Sequence, residues 1–366
     1  MPKTRQRSAR PKEVVYLWGA GATQAEIDYL GAQKINLLMR DSEQLGKGVA
    51  TRILEQLPKR WRSRFLADEP TDIEKLISLL AASNVKRYEG LAEQIRKLYF
   101  EDICTNLAAA GVLQNPQLAI GLLTMHVNDQ FRRQETLSGI ITTNHDGLLQ
   151  FATQRVGTAV NLGIPFTSNE LVPDTTGSAP ILQLHGSFTW VFGLPVRVSL
   201  LGRESSYSAS AVWIPPTTLK ESKSYPFNKL SALAYELLSR HCDVLRVVGS
   251  ALTQNDWNVI SLIFNAQRHK EYTKGLPFRV ELIMPHDAGT AVARECSYLT
   301  QLTPIGFLSE GSFEAYKDPQ RDDAFSPEMK NPLFYWLKQK VQYHRDRGHF
   351  GGQPLEAALR QLTGDN

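Results

Sequence analysis

Apolar positions in this chain follow two different rhythms. Val14-Val15-Tyr16-Leu17 is a continuous apolar run, the pattern of a strand buried on both faces of a parallel sheet, so the first strand is predicted over 13–18. Gly19-Ala20-Gly21-Ala22-Thr23 follows as a tight loop, and a helix is predicted from about Thr23, with Glu26 as its capping-box partner. Further strand signals fall at 139–142, 181–184, 211–214, 244–248 and 279–284, with helical stretches at 146–154, 227–240 and 256–267 between several of them. This alternation predicts an α/β domain built on a doubly wound parallel sheet. The Ser- and Gly-rich stretch 197–210 reads as a loop.

Between 44 and 135 the β-branched runs disappear and helical spacing takes over. Thr71 and Glu74 form a second capping-box pattern ahead of Ile73, Leu76, Ile77 and Leu80 on one face. Leu91, Ile95, Leu98 and Tyr99 repeat the spacing, and Asn115-Pro116 reads as an N-cap with proline at the first helical position. The segment is therefore expected to be a helical insertion, or lid, in an α/β domain that occupies 13–43 and 136–318. Two closing helices are predicted at 332–344 and 354–362, within a C-terminal helical segment 319–366.

Composition narrows the function classes. Net charge is 41 − 37 = +4, and Lys3, Arg5, Arg7, Arg10 and Lys12 are gathered in a basic tail, 1–12, that is expected to be disordered. No basic stripe with interleaved aromatics follows, so direct nucleic-acid recognition is not supported. No apolar run approaches the ~20 residues of a membrane-spanning helix, and the basic start leads into no signal-peptide core; a cytoplasmic protein is expected. Cys104, Cys242 and Cys296 are far apart and form no CxxC pair, so no zinc module is expected and the thiols read as buried structural residues.

In an open α/β sheet, ligands bind beyond the carboxyl ends of the strands, so the residues that follow each apolar run carry the candidate chemistry. Gly19, Ala20, Gly21 and Thr23 make a loop whose backbone can approach phosphates at a helix N-terminus. Thr142-Thr143-Asn144-His145-Asp146 follows the second strand, His185-Gly186-Ser187 the third, and Gly249-Ser250 the strand at 244–248. Asn144 is expected to face the cleft. Asp146 serves equally well as a helix cap, and His145 reads as a solvated loop histidine. His185 has small neighbours on its far side and an ordinary pKa of about 6.5, suited to taking a proton near neutrality.

GAGAT, TTNHD, LHGS and VVGSAL, in that order, resemble the motifs of the sirtuin-type, silent-information-regulator-like family, over about 13–43 and 136–290. The resemblance implies a Rossmann-like domain with NAD as substrate. Gly19, Ala20, Gly21 and Thr23 would hold the diphosphate, and Asn144 and Asp146 the nicotinamide ribose and carboxamide. His185 would be the base, and Gly249 and Ser250 would touch ribose and phosphate. Thr143 stands where the family has glutamine, and the four-cysteine zinc module is missing. What remains is similar to the bacterial sirtuin-like NAD hydrolases of anti-phage defence. That likeness implies an NAD-depleting glycohydrolase with a HerA-like DNA-translocating ATPase as the leading partner, and the helical segment, as an assembly surface with an apolar face to bury on another subunit, predicts a homo-oligomer.

Three other readings stay open at this stage. One is an NAD-dependent deacylase or ADP-ribosyltransferase, and another is a non-catalytic NAD or ADP-ribose sensor. The third is a dehydrogenase, supported by Asp41 about 20 residues after Gly21, with 37–39 as the strand before it, and opposed by Gln24 in place of the third glycine. The cysteine pattern yields a direct test: elemental analysis of the purified protein should find no stoichiometric zinc, and about one zinc per chain would contradict the reading.

Overall fold

The computed structural model describes residues 10–32, 34–41, 46–65, 73–83, 85–113, 116–127, 135–174, 177–200, 207–208, 210–217, 220, 223–284 and 286–306. The basic tail up to residue 9, Thr71, Asn115 and the predicted closing helices lie outside them.

Six strands form a parallel sheet flanked by helices: β1 (Lys12–Trp18), β2 (Glu135–Thr142), β4 (Ile181–Gln183), β8 (Val244–Val248), β9 (Arg279–Met284) and β10 (Leu302–Gly306). Their spatial order is β10-β9-β8-β1-β2-β4. Counted along the sheet's own strands this is 6-5-4-1-2-3, the order of a Rossmann sheet, and the alternation of strand and helix predicted this class. β1 is central, pairing with β2 on one side and β8 on the other. That position explains its composition: Val14, Val15, Tyr16, Leu17 and Trp18 are all buried to within 1% because helices cover both faces. Helices Ala20–Tyr29, Gln117–Val127 and Leu148–Arg155 pack as one group, and Phe227–Arg240 and Trp257–Lys274 as another.

A second, smaller sheet has the order β3-β6-β5-β7, from Phe166–Thr167, Val196–Val198, Gly186–Val191 and Ala211–Trp213. It corrects two expectations. The strand near 211–214 belongs here, pairing antiparallel with β5, and the stretch at 197–210 begins with the end of β6. Both strands have only three residues, too short to show a period. The chain passes from β4 to β5 through Leu184-His185, and Gly186 makes the turn with φ +70°. A Cβ there would lie 2.2 Å from the Val212 carbonyl oxygen, so only glycine fits.

Between the first helix and β2 the chain forms helices Val49–Gln56, Lys59–Phe65, Ile73–Ala81, Lys86–Ala110 and Gln117–Val127. Ile53, Ile73, Leu76, Ile77, Ile95 and Leu107 build an apolar cluster distinct from the one around the sheet. Ile27, Leu148, Phe188 and Trp213 also enter that cluster, so Val49–Gln56, Ile73–Ala81 and Lys86–Ala110 rest on the first helix, on the helix after β2 and on the small sheet, whereas Leu118, Ile120 and Leu122 place Gln117–Val127 in the cluster around the main sheet.

The first helix starts at Ala20, not Thr23, with Gly19 as N-cap and no side-chain cap. The predicted capping box therefore does not form, because the strand ends directly in the helix and places Thr23 and Glu26 inside it. Glu26, fully buried, caps another helix instead: its carboxylate accepts the N–H groups of Leu118 at 2.9 Å and Ala119 at 2.6 Å. Residues 37–39 form no strand; the Leu37 N–H donates to Gln24 Oε1 at 2.8 Å, and the Asp41 carboxylate accepts the Gly48 N–H at 2.6 Å. Asp41 is thus spent on a turn, which removes the support for a dehydrogenase.

Glu26→Gln tests the long-range cap. An amide can offer only one acceptor to two N–H donors, so one donor is stranded in the interior. The substitution should lower unfolding free energy by about 1–3 kcal/mol in urea denaturation, and an unchanged midpoint would remove the cap from the account.

Candidate functional site

The loops at the carboxyl ends of β1, β2, β4 and β8 meet on one side of the sheet. Those of β1 and β8 are joined through their backbones: the Gly19 N–H donates to the Val248 carbonyl at 2.9 Å and the Gly21 N–H to the Gly249 carbonyl at 2.8 Å. Gly249 has φ +60°, and a Cβ on it would lie 2.2 Å from the Ala22 nitrogen. Ser250, buried, packs directly beneath Gly19.

The second loop is tied to the first by side chains. Thr142 Oγ1 donates to the Trp18 carbonyl at 2.7 Å and accepts the Asn144 N–H at 3.1 Å. Asn144 Nδ2 donates to the Gly19 carbonyl at 3.1 Å and to Thr23 Oγ1 at 2.9 Å. Thr23 in turn donates to Asp146 Oδ2 at 3.0 Å, and Asp146 Oδ1 accepts the Leu148 N–H at 3.2 Å. Asp146 therefore supports the start of the following helix, as expected of it, and its other carboxylate oxygen is taken up by Thr23. Burial raises its carboxyl pKa, against the hydrogen bonds from Leu148, Thr23 and Asn144. Asn144 is itself buried, its amide nitrogen turned onto the glycine loop.

His185 lies at the step between the two sheets and is 2% exposed. Its Nε2 lies 3.4 Å from Asn258 Nδ2. An amide nitrogen can only donate, so the ring nitrogen facing Asn258 is the acceptor and carries the lone pair. Burial, followed by the charge of Lys220, depresses the His185 pKa well below its ordinary value, so the ring is neutral at physiological pH.

His145 is not a solvated loop residue. It is buried at 8% exposure, its Nε2 donates to the Ile214 carbonyl at 2.8 Å, and Nδ1 accepts from the Tyr99 hydroxyl at 3.3 Å. Its ring stacks on Phe188 at 5.2 Å and meets the edge of Trp213 at 5.1 Å. The reason lies outside the local sequence: Tyr99 comes from the long helix 86–110, and Phe188 and Trp213 from the small sheet. Burial pushes the His145 pKa down to about 4.

Four more residues complete the site. Gln183, the last residue of β4, is buried and donates to the Asp146 carbonyl at 2.9 Å, bracing the TTNHD loop; its one signal is a polar residue interrupting the run between Leu182 and Leu184. Lys220, its side chain 5% exposed, lies 2.6 Å from Asp256 Oδ1 and 3.8 Å from Glu74 Oε1. Tyr99 and Asn258 are the others, and neither has a local signal, since both lie on helices among ordinary apolar spacing. Among the described residues, no group of three or more His, Cys, Asp or Glu side chains is arranged to hold a metal ion, and the three cysteines are free and buried.

No family model matches the chain, and a search of curated proteins finds no relative. No helix of the described residues is long and apolar enough to cross a membrane.

His145→Ala removes a buried ring and two hydrogen bonds and should cost about 2–4 kcal/mol of unfolding free energy, read by urea denaturation. A loss below about 0.5 kcal/mol would return His145 to the class of solvated residues. The pH dependence has a definite sign. The folded-state pKa of about 4 is below the ordinary 6.5, so the unfolded chain binds the proton more readily. The stability tied to His145 is full above about pH 6.5 and is lost as pH falls toward about 4; the alanine variant should show a flatter slope in that window.

Proposed function

We propose that this chain binds NAD and hydrolyses its nicotinamide–ribose bond, releasing nicotinamide and ADP-ribose. One observation carries the reading. A neutral histidine, His185, turns its Nε2 lone pair toward the Asn258 amide, among the same strand-end loops as the Asn144–Thr23–Asp146 cluster and the glycine loop of a Rossmann-ordered sheet. Dinucleotides bind such sheets where the strand order reverses, here between β1 and β8. The helix after Gly19 has no side-chain cap and no acidic residue in its first turn, which suits a diphosphate. The resemblance of the same four corners to the sirtuin-type family points to NAD in particular.

Cleavage of the bond develops positive charge on the ribose and needs an oriented hydroxyl or water. His185 takes a proton from that oxygen, and Asn144, held by Gly19 and Thr23, positions the ribose. The buried Asp146 carboxylate orients Thr23. Positioned acid–base catalysis of this kind is worth ~10²–10⁴-fold, and positioning and electrostatics supply the remainder. The burial of His185 and the inward turn of the Asn144 amide favour one second reading, a non-catalytic NAD or ADP-ribose sensor.

Purified protein incubated with NAD separates the two. Release of free nicotinamide is expected, falling at least about 10²-fold in His185→Ala with a cooperative melt retained. NAD binding without release would establish the sensor, and near-wild-type turnover in the alanine variant would remove His185 from the mechanism.

A further inference from the structure

Asn258 lies in the first turn of helix Trp257–Lys274, which follows the Gly249-Ser250 corner through the short 3₁₀ turn Gln254–Asp256. It sits across from His185, 3.4 Å from Nδ2 to Nε2. The Oδ1 atom of the same amide is buried and has no hydrogen-bond partner. A buried amide oxygen without a partner costs free energy in a folded protein, and such groups concentrate where a site has work for them.

We propose that Asn258 is a further catalytic residue of this site: its Nδ2–H donates to the same oxygen from which His185 Nε2 takes a proton. The proposal rests on the NAD-hydrolysing reading and names the group that completes it. The geometry suits the role. A contact of 3.4 Å is long for a hydrogen bond, so an incoming hydroxyl displaces it readily. An oxygen about 2.8 Å from each of two nitrogens that far apart makes a near-equilateral triangle with both. As the O–H bond breaks, the proton goes to Nε2, the electron pair stays on the oxygen, and the growing negative charge is met by the Asn258 N–H. Oδ1 is then placed to accept from a neighbouring hydroxyl of the ribose.

The other groups around His185 are compatible with this. Lys220 approaches from the segment after β7, held by Asp256 and Glu74, and favours the neutral ring. His145 is 6.2 Å away between ring centroids and neutral, with both nitrogens engaged by Tyr99 and Ile214. Asn258 is therefore the neighbour that faces the lone pair.

Two variants and two measurements test it on the full chain, with NAD as the probe. Asn258→Ala should lower kcat for nicotinamide release by about 10²-fold with a smaller change in KM, the behaviour of a donor that matters most in the transition state. Asn258→Asp should move the acid limb of the pH profile upward, because a carboxylate beside Nε2 favours the charged ring. The ¹⁵N NMR signals of the His185 imidazole give a readout independent of turnover. In the wild type Nε2 should be the bare nitrogen near neutral pH, and in Asn258→Asp the titration midpoint should rise by about one unit or more. An Asn258→Ala variant with wild-type kcat overturns the proposal, as does an Asn258→Asp variant whose His185 titration is unmoved. A wild-type chain that releases no nicotinamide while the titration shifts refutes the hydrolase reading and the catalytic role together, but leaves the pairing of the two side chains intact.

Discussion

The Gly21 N–H meets the Gly249 carbonyl at 2.8 Å, where the loops that leave β1 and β8 touch backbone to backbone. No side chain can stand between them: a Cβ on Gly249 would sit well inside contact distance of the Ala22 nitrogen. Because the loops are so close, the first helix starts at the edge of the sheet with its N-terminus at the reversal of strand order. Everything polar in the site is then measured from that start. Asn144 reaches Gly19, the N-cap, and Thr23, in the first turn of the helix, because both stand at this start, and Thr23 reaches Asp146 for the same reason.

Such a cluster is costly to bury and gains its value from being complete. Asn144, Asp146, Gln183, His185 and Ser187 are all buried, and each has a partner supplied by another segment of the chain. Loss of one partner would strand its neighbour in a low dielectric, so the cluster behaves as a unit. Elsewhere on the sheet, Arg246 gathers Glu135, Glu281 and the Tyr16 hydroxyl across β8, β2, β9 and β1. This second buried network ties together the central strands whose far ends carry the site.

The helices between the first helix and β2 are joined to the site by chemistry as well as by packing. Tyr99, on helix 86–110, donates to His145 next to Asn144, and Glu74, on helix 73–81, shares Lys220 with Asp256. A displacement of these helices would act on the TTNHD loop and on the charge beside His185. The physical route is a pair of side-chain bridges, one aromatic and neutral, the other ionic.

The sequence by itself determined the strands that are mostly apolar and the polar residues that end them. Val14 to Leu17 is legible because a strand covered on both faces is hydrophobic along its length, and 244–248 and 279–284 stay legible as mostly apolar runs although Arg246 and Glu281 interrupt them. Asn144, Asp146 and His185 were legible as polar residues where such runs stop. The tertiary structure alone decided what those residues touch. Thr23 and Glu26 have the spacing of a capping box, yet the strand runs straight into the helix, and Glu26 serves a helix 92 residues away along the chain. His145 looks like any loop histidine until Tyr99, Phe188 and Trp213 close over it. Asn258 carries no local mark at all. Periodicity records which face of an element is buried, whereas hydrogen-bond partners are chosen by elements that the chain brings together from far apart, and no local pattern encodes that choice.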